Sequence, residues 1–233
     1  MSYGYVDTSR AAAHAPAELR AEFIRKTYMH LGGAILVFAA LTAGLVNTPL
    51  GPMITSLAVT GYGWLVMLGL FMGVGWVAES WARSATSKPM QYLGLGLYVV
   101  AEAVIMTPLL YIAAAYSDPS VIPSAGIMTL TVFGGLTTVV FVTKKDFSWM
   151  GRFLTIAMFA ALGFIIVSIL FGITLGSIFS AFMVLLAAGY ILYYTSQILH
   201  HYPVGSHVAA ALNLFAAVAL LFWYILQLFM GRE

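Results

Sequence analysis

The chain has 233 residues, 62% hydrophobic and 8% charged, with ten Lys/Arg, eight Asp/Glu and no Cys. A soluble domain carries about 25% charged residues, and a chain of this size cannot hide so much apolar surface from water. A soluble enzyme and a disordered chain are excluded, and a net charge of +2 is too small for a nucleic-acid binder; without Cys there is no disulfide framework, thiolate nucleophile or zinc–thiolate site.

Residues 1–26 are polar, contain Pro16, and lack the apolar core of a secretory signal. They are expected to form a cytoplasmic tail in which Glu18, Glu22, Arg25 and Lys26 suit a short surface helix, a frayed tail accounting for them equally well. Residues 27–78 carry no formal charge, too long a stretch for one crossing of about 20 residues. The break Asn47-Thr48-Pro49-Leu50-Gly51-Pro52 divides it into spans at about 28–46 and 57–77. A polar cluster from Glu79 to Pro89 precedes a third span at about 92–115, and Asp118-Pro119 with Pro123 separates it from a fourth at 126–142. That span stops at Lys144-Lys145-Asp146. From Phe153 to Gly231 there is again no formal charge, over 79 residues. Gly172–Gly176 and the polar run His200–His207 divide it into spans at 153–171, 177–199 and 208–230. The predicted fold is all-α, a tail of residues 1–26 followed by one seven-helix transmembrane bundle over 27–233.

Alternate sides of this layout differ in basic charge. Arg10, Arg20, Arg25, Lys26, Arg83, Lys88, Lys144, Lys145 and Arg152 fall on the side of the N-terminus, and Arg232 alone on the other. The positive-inside rule therefore predicts a cytoplasmic N-terminus and an external C-terminus. Gly69-x-x-x-Gly73 and Gly75 in the second span have the spacing that lets helices approach closely in lipid.

Glu102 is the one carboxylate inside a predicted span. It lies ten residues past Tyr92, about 15 Å along a helix, near mid-membrane. A charge there is costly, so Glu102 should face the bundle interior, a partner or water, as a functional site or as a protonated interhelical hydrogen-bond donor. Pro108, six residues on, cannot donate to the carbonyl of Val104 and should kink the helix. His200, His201 and His207 share one loop and are candidate pH-sensing groups, though a solvated loop accounts for them as well. There is no His-Glu-x-x-His motif, no lysine in span seven for a Schiff base, and no intramembrane aspartate, the aspartates being Asp7, Asp118 and Asp146. The expectation is a protein that is not an enzyme, with no cofactor and no metal site.

The segment Phe141-Val-Thr-Lys-Lys-Asp-Phe-Ser-Trp-Met-Gly151 resembles the Thr-Lys-Lys/Arg-Asp-Phe-Ser segment of the Bax inhibitor-1 family, including its bacterial YccA-like branch. Arg25-Lys26-Thr27-Tyr28, Glu102 with Thr107-Pro108-Leu109-Leu110, Tyr193-Tyr194-Thr195-Ser196-Gln197 and Ala211-Leu212-Asn213-Leu214-Phe215 are similar to further family elements in the same order. The resemblance covers about residues 20–230 and implies a bundle whose last helix is surrounded by the other six. It also implies association with calcium leak, with suppression of cell death in eukaryotes, and with modulation of a membrane AAA protease in bacteria.

In the family's leak model two aspartates on spans six and seven share a proton. By local alignment they fall on Tyr194 and Ala217, neither of which titrates near neutrality. The resemblance therefore implies either a leak pathway for calcium or another cation with altered gating and Glu102 as its cation-attracting group, or a non-conducting regulator of a membrane protease. The expected partners are the lipid bilayer, a cation and a membrane protease, with no nucleic acid, and the expected location is a bacterial inner membrane.

Overall fold

The computed structural model describes residues 11–84 and 87–231. Arg10 and Arg232, both counted in the charge asymmetry, lie outside the described residues, as do residues 1–10 of the tail. Among the described residues there are eight α-helices, seven of them long and apolar enough to cross a membrane. They are α1 (Ala17–Val46), α2 (Leu50–Val59), α3 (Gly63–Ala82), α4 (Lys88–Tyr116), α5 (Val121–Thr143), α6 (Met150–Phe171), α7 (Gly176–His200) and α8 (His207–Met230). Because the long helices alternate in direction, one end of the bundle carries the start of α1 and the α3–α4, α5–α6 and α7–α8 connections. This end is called the N-face. The opposite C-face carries α2, the α4–α5 and α6–α7 connections and the end of α8.

Two boundaries differ from the sequence expectation. Residues 17–26 are not separate from the first span but are its opening turns, with Glu22 and Lys26 paired at 2.6 Å one turn apart. At 30 residues α1 is about 45 Å long, more than the roughly 30 Å of hydrocarbon, so its charged start projects past the apolar layer. The second crossing is shifted from 57–77 to Gly63–Ala82, and residues 50–59 form the separate helix α2. The reason is local. A proline in the first turn of a helix owes no hydrogen bond there, so Pro49 and Pro52 start α2 rather than simply ending α1. Thr60, extended, and Gly61, at φ +54°, then form the real break.

The last helix is the core. Every residue of α8 from Val208 to Phe215 is buried, as are fifteen of its 24 residues. An amphipathic helix would leave gaps at 3.6-residue spacing; an unbroken run means neighbours all round. Those neighbours are α1, α3, α4, α5 and α7. Ala209, Ala210, Ala211, Ala217 and Ala219 keep the helix thin enough for backbones to approach closely. By contrast α6 buries only Leu154 and Ala161 and packs chiefly on α7.

The close approach between α3 and α4 is not made by Gly69 or Gly73, where an added Cβ would meet nothing within 4 Å. It is made at Gly94, where a Cβ would lie 2.5 Å from both the Ala78 carbonyl oxygen and the Ala82 nitrogen. α4 runs unbroken through Pro108, which is buried. In the turn just before it, the Thr107 hydroxyl donates to the Ala103 carbonyl at 2.7 Å.

Candidate functional site

Glu102 sits at the midpoint of α4, fourteen residues from either end, or about 21 Å along the axis in each direction. Its side chain is buried, with 7% of the residue exposed. It belongs to a stripe at helical spacing, Tyr98, Glu102, Ile105, Leu109 and Ile112, and that whole stripe lines a cavity of about 1020 Å³. α3 and α4 form one wall, α6 and α7 the other, and α8 the back. Among the described residues the Glu102 carboxyl makes no hydrogen bond or ion pair with the protein. The acid is therefore held inside the bundle and turned to open space rather than to a partner.

The cavity reaches the C-face, where Thr174 and Leu175 of the α6–α7 turn, Gly176 at the start of α7 and Gly231 after α8 line it. Gly231 lies fourteen positions beyond Ala217, about 21 Å of depth along the helix axis. Along the way the Trp64 and Trp223 rings stack at 5.5 Å, and the Ser180 hydroxyl donates to Gln227 Oε1 at 3.1 Å. Tyr194 and Ala217, the two positions that the resemblance sets against the family's aspartates, line the same cavity as Glu102. The structure thus brings together three of the residues singled out in the sequence.

Toward the N-face, side chains close the space. Tyr194 stacks on Tyr190 at 5.7 Å and meets Tyr193 edge-on at 5.1 Å. Beyond it, Tyr202 accepts a hydrogen bond from Asn213 Nδ2 at 2.7 Å, tying the α7–α8 loop to α8. The backbone N–H of Ala12 donates to the Tyr202 carbonyl at 2.9 Å, so the segment preceding α1 lies over this loop. Burial raises the Tyr202 hydroxyl above its ordinary value, against the opposing pull of Asn213.

The three loop histidines do not share a pocket. His207 packs on His30 with ring centroids 5.1 Å apart, and the His200 ring lies 6.1 Å from that of His201. His201 instead donates from Nε2 to Asp146 Oδ2 at 2.8 Å. Asp146 Oδ1 accepts from the Ser148 N–H at 2.8 Å and the Ser196 hydroxyl at 3.3 Å, while Ser196 Oγ accepts from the Phe147 N–H at 2.8 Å. Its surroundings push the Asp146 carboxyl up, but the Ser148 N–H and the His201 imidazole more than reverse this and hold it well below the usual carboxylate range. This latch joins the α5–α6 loop to the end of α7. Its residues fall in the segments quoted for the resemblance and in the histidine loop, but their pairing has only a topological sign in the sequence, because loops after the fourth and sixth spans share a side.

The sequence profile described as "Inhibitor of apoptosis-promoting Bax1" matches residues 20–233. The chain is 27% identical to Protein LIFEGUARD 3 of Arabidopsis thaliana over 220 residues, 92% of this chain and 86% of that protein. It is 29% identical to the Golgi anti-apoptotic protein of Vaccinia virus (strain Lister) over 223 residues, 94% and 89% of the two chains. With Bax inhibitor 1 of Schizosaccharomyces pombe the identity is 28% over 221 residues, 93% and 79%. With a match over nearly its whole length, and with the last helix at the centre of seven membrane-crossing helices, the chain belongs to the Bax inhibitor-1 family.

Proposed function

We propose that this protein is a non-enzymatic cation leak pathway, of the calcium type, closed at its N-face in the state described. The observation that supports this reading is the Glu102 carboxyl, buried at the midpoint of α4 without a hydrogen bond or ion pair to the protein and facing a cavity that reaches the C-face. A buried acid of this kind attracts cations. Tight calcium sites use six to eight oxygen ligands, and passage requires binding weak enough to release; a lone carboxylate suits a leak better than a store. The tyrosines at 190, 193 and 194, with the Tyr202–Asn213 pair, are the closed end, replacing a proton-sharing carboxylate pair by a steric and hydrogen-bonded plug. The charge asymmetry supports a cytoplasmic N-face; in a bacterial inner membrane, the location we propose, the cavity then opens outward.

The test is calcium flux into liposomes that hold the purified protein and an internal calcium dye. Flux above empty vesicles that falls at least tenfold in Glu102→Gln supports the pathway. Flux equal to empty vesicles would leave the alternative, a non-conducting regulator of a membrane protease, as the better account.

A further inference from the structure

The cavity walls carry a second message. At about 1020 Å³ the space stands at the upper end of the roughly 300–1,000 Å³ typical of small-molecule pockets, far larger than a single metal ion needs. Its lining is mainly apolar and conspicuously aromatic: Trp64 and Phe71 from α3, Tyr98 from α4, Tyr194 from α7, Trp223 and Tyr224 from α8. Aromatic faces attract organic cations, most strongly where water is excluded, yet they offer little to a hard divalent ion, which wants oxygen ligands. One buried, unpartnered carboxyl stands among them. The rim is exposed at Met72 and Ile173, on the side where α6 has α7 as its principal support, so an apolar molecule can enter from the membrane as well as from the C-face.

We propose that this cavity is a binding site for a lipophilic organic monocation, with the Glu102 carboxylate as its counter-ion and the aromatic walls as its cradle. Charge and surface complement each other: a single negative group matches a single positive centre, and the remaining wall matches apolar substituents. A neutral amphiphile would leave the carboxyl unmatched, and an anion of the same shape would be repelled by it. The proposal stands on the cavity and not on calcium passage, so either can fail alone.

The probe is tetraphenylphosphonium, with tetraphenylborate as the control of similar shape and opposite charge. The full chain is held in nanodiscs, and empty nanodiscs are subtracted. The expected result is saturable binding of one tetraphenylphosphonium per chain, weakened at least tenfold in Glu102→Gln, with no saturable tetraphenylborate binding. Ala217→Trp, which fills the back of the cavity, should weaken binding independently of charge. The wild-type comparison of the two ions decides the matter even where a variant fails to fold: equal binding of both, or saturable binding of neither, overturns the proposal. Tetraphenylphosphonium binding without calcium flux sinks the leak and keeps this site. Glu102-dependent calcium flux with no tetraphenylphosphonium binding does the opposite.

Discussion

His201 and Asp146, 55 residues apart in sequence, meet at 2.8 Å and fasten the α5–α6 loop to the end of α7. Both side chains are nearly half exposed, so the pair alone is worth about 0.2–1 kcal/mol; the Ser148 and Ser196 hydrogen bonds add to it. A carboxyl held below its unfolded value contributes stability that is fully present above that value and lost as pH falls through the folded one. Asp146→Asn should therefore lower the unfolding temperature at pH 6, and the gap from wild type should shrink once the pH drops below about 4, the ordinary carboxylate value. Thermal unfolding in detergent across this range checks the sign; a gap that widens on acidification counts against the latch.

Glu102 should cost the protein stability. A buried polar group without a partner carries a desolvation penalty of about 1–3 kcal/mol, and each kcal/mol is about 2–4 °C for a chain of this size. Glu102→Leu is expected to raise the unfolding temperature by several degrees while abolishing both calcium flux and cation binding. A drop in stability would mean that the acid serves the fold.

The α3–α4 crossing predicts a contrast between two glycines. A methyl group at Gly94 would lie 2.5 Å from backbone atoms of Ala78 and Ala82, whereas one at Gly69 meets nothing. Gly94→Ala should destabilise by about 1–3 kcal/mol through overpacking, and Gly69→Ala should be neutral or slightly stabilising. Paired melting curves measure the difference.

The absence of cysteine makes orientation directly measurable, because any thiol label reports only an introduced residue. With the N-face in the cytoplasm, Lys145→Cys should resist a membrane-impermeant maleimide in intact cells and react after lysis. Ser120→Cys, on the C-face, should react in both. The reverse pattern would invert the outward-opening pathway.

The crossings were legible because charge, proline and glycine punctuate a chain that is otherwise apolar, and Glu102 stood out as a carboxylate in the middle of one. What escaped was whatever depends on the distinction between apolar surface facing lipid and apolar surface facing a void. Leu109 and Ile112 line the cavity while Leu36 and Leu70 face outward, and hydropathy does not separate them. Helix α2 was hidden for a similar reason, since its residues are as apolar as a span and its prolines read equally well as an end or a beginning. The glycine spacing at 69 and 73 pointed to packing, but a spacing names no partner; Gly94 carries the contact because α3 happens to cross there. Tyr194 and Ala217 entered through alignment, and only the folded chain puts them on one surface with Glu102.

Because α6 leans chiefly on α7, through such contacts as the Tyr190 hydroxyl on the Leu154 carbonyl at 3.1 Å, its outer flank is left to the acyl chains. A helix propped from one side yields to whatever presses on the other. We therefore expect bilayer thickness to set how far α6 stands from α3: spin-label distances between the two should change from short-chain to long-chain lipids, while distances from α1 to α8 stay fixed. On this view the host membrane is itself a working part of the aperture.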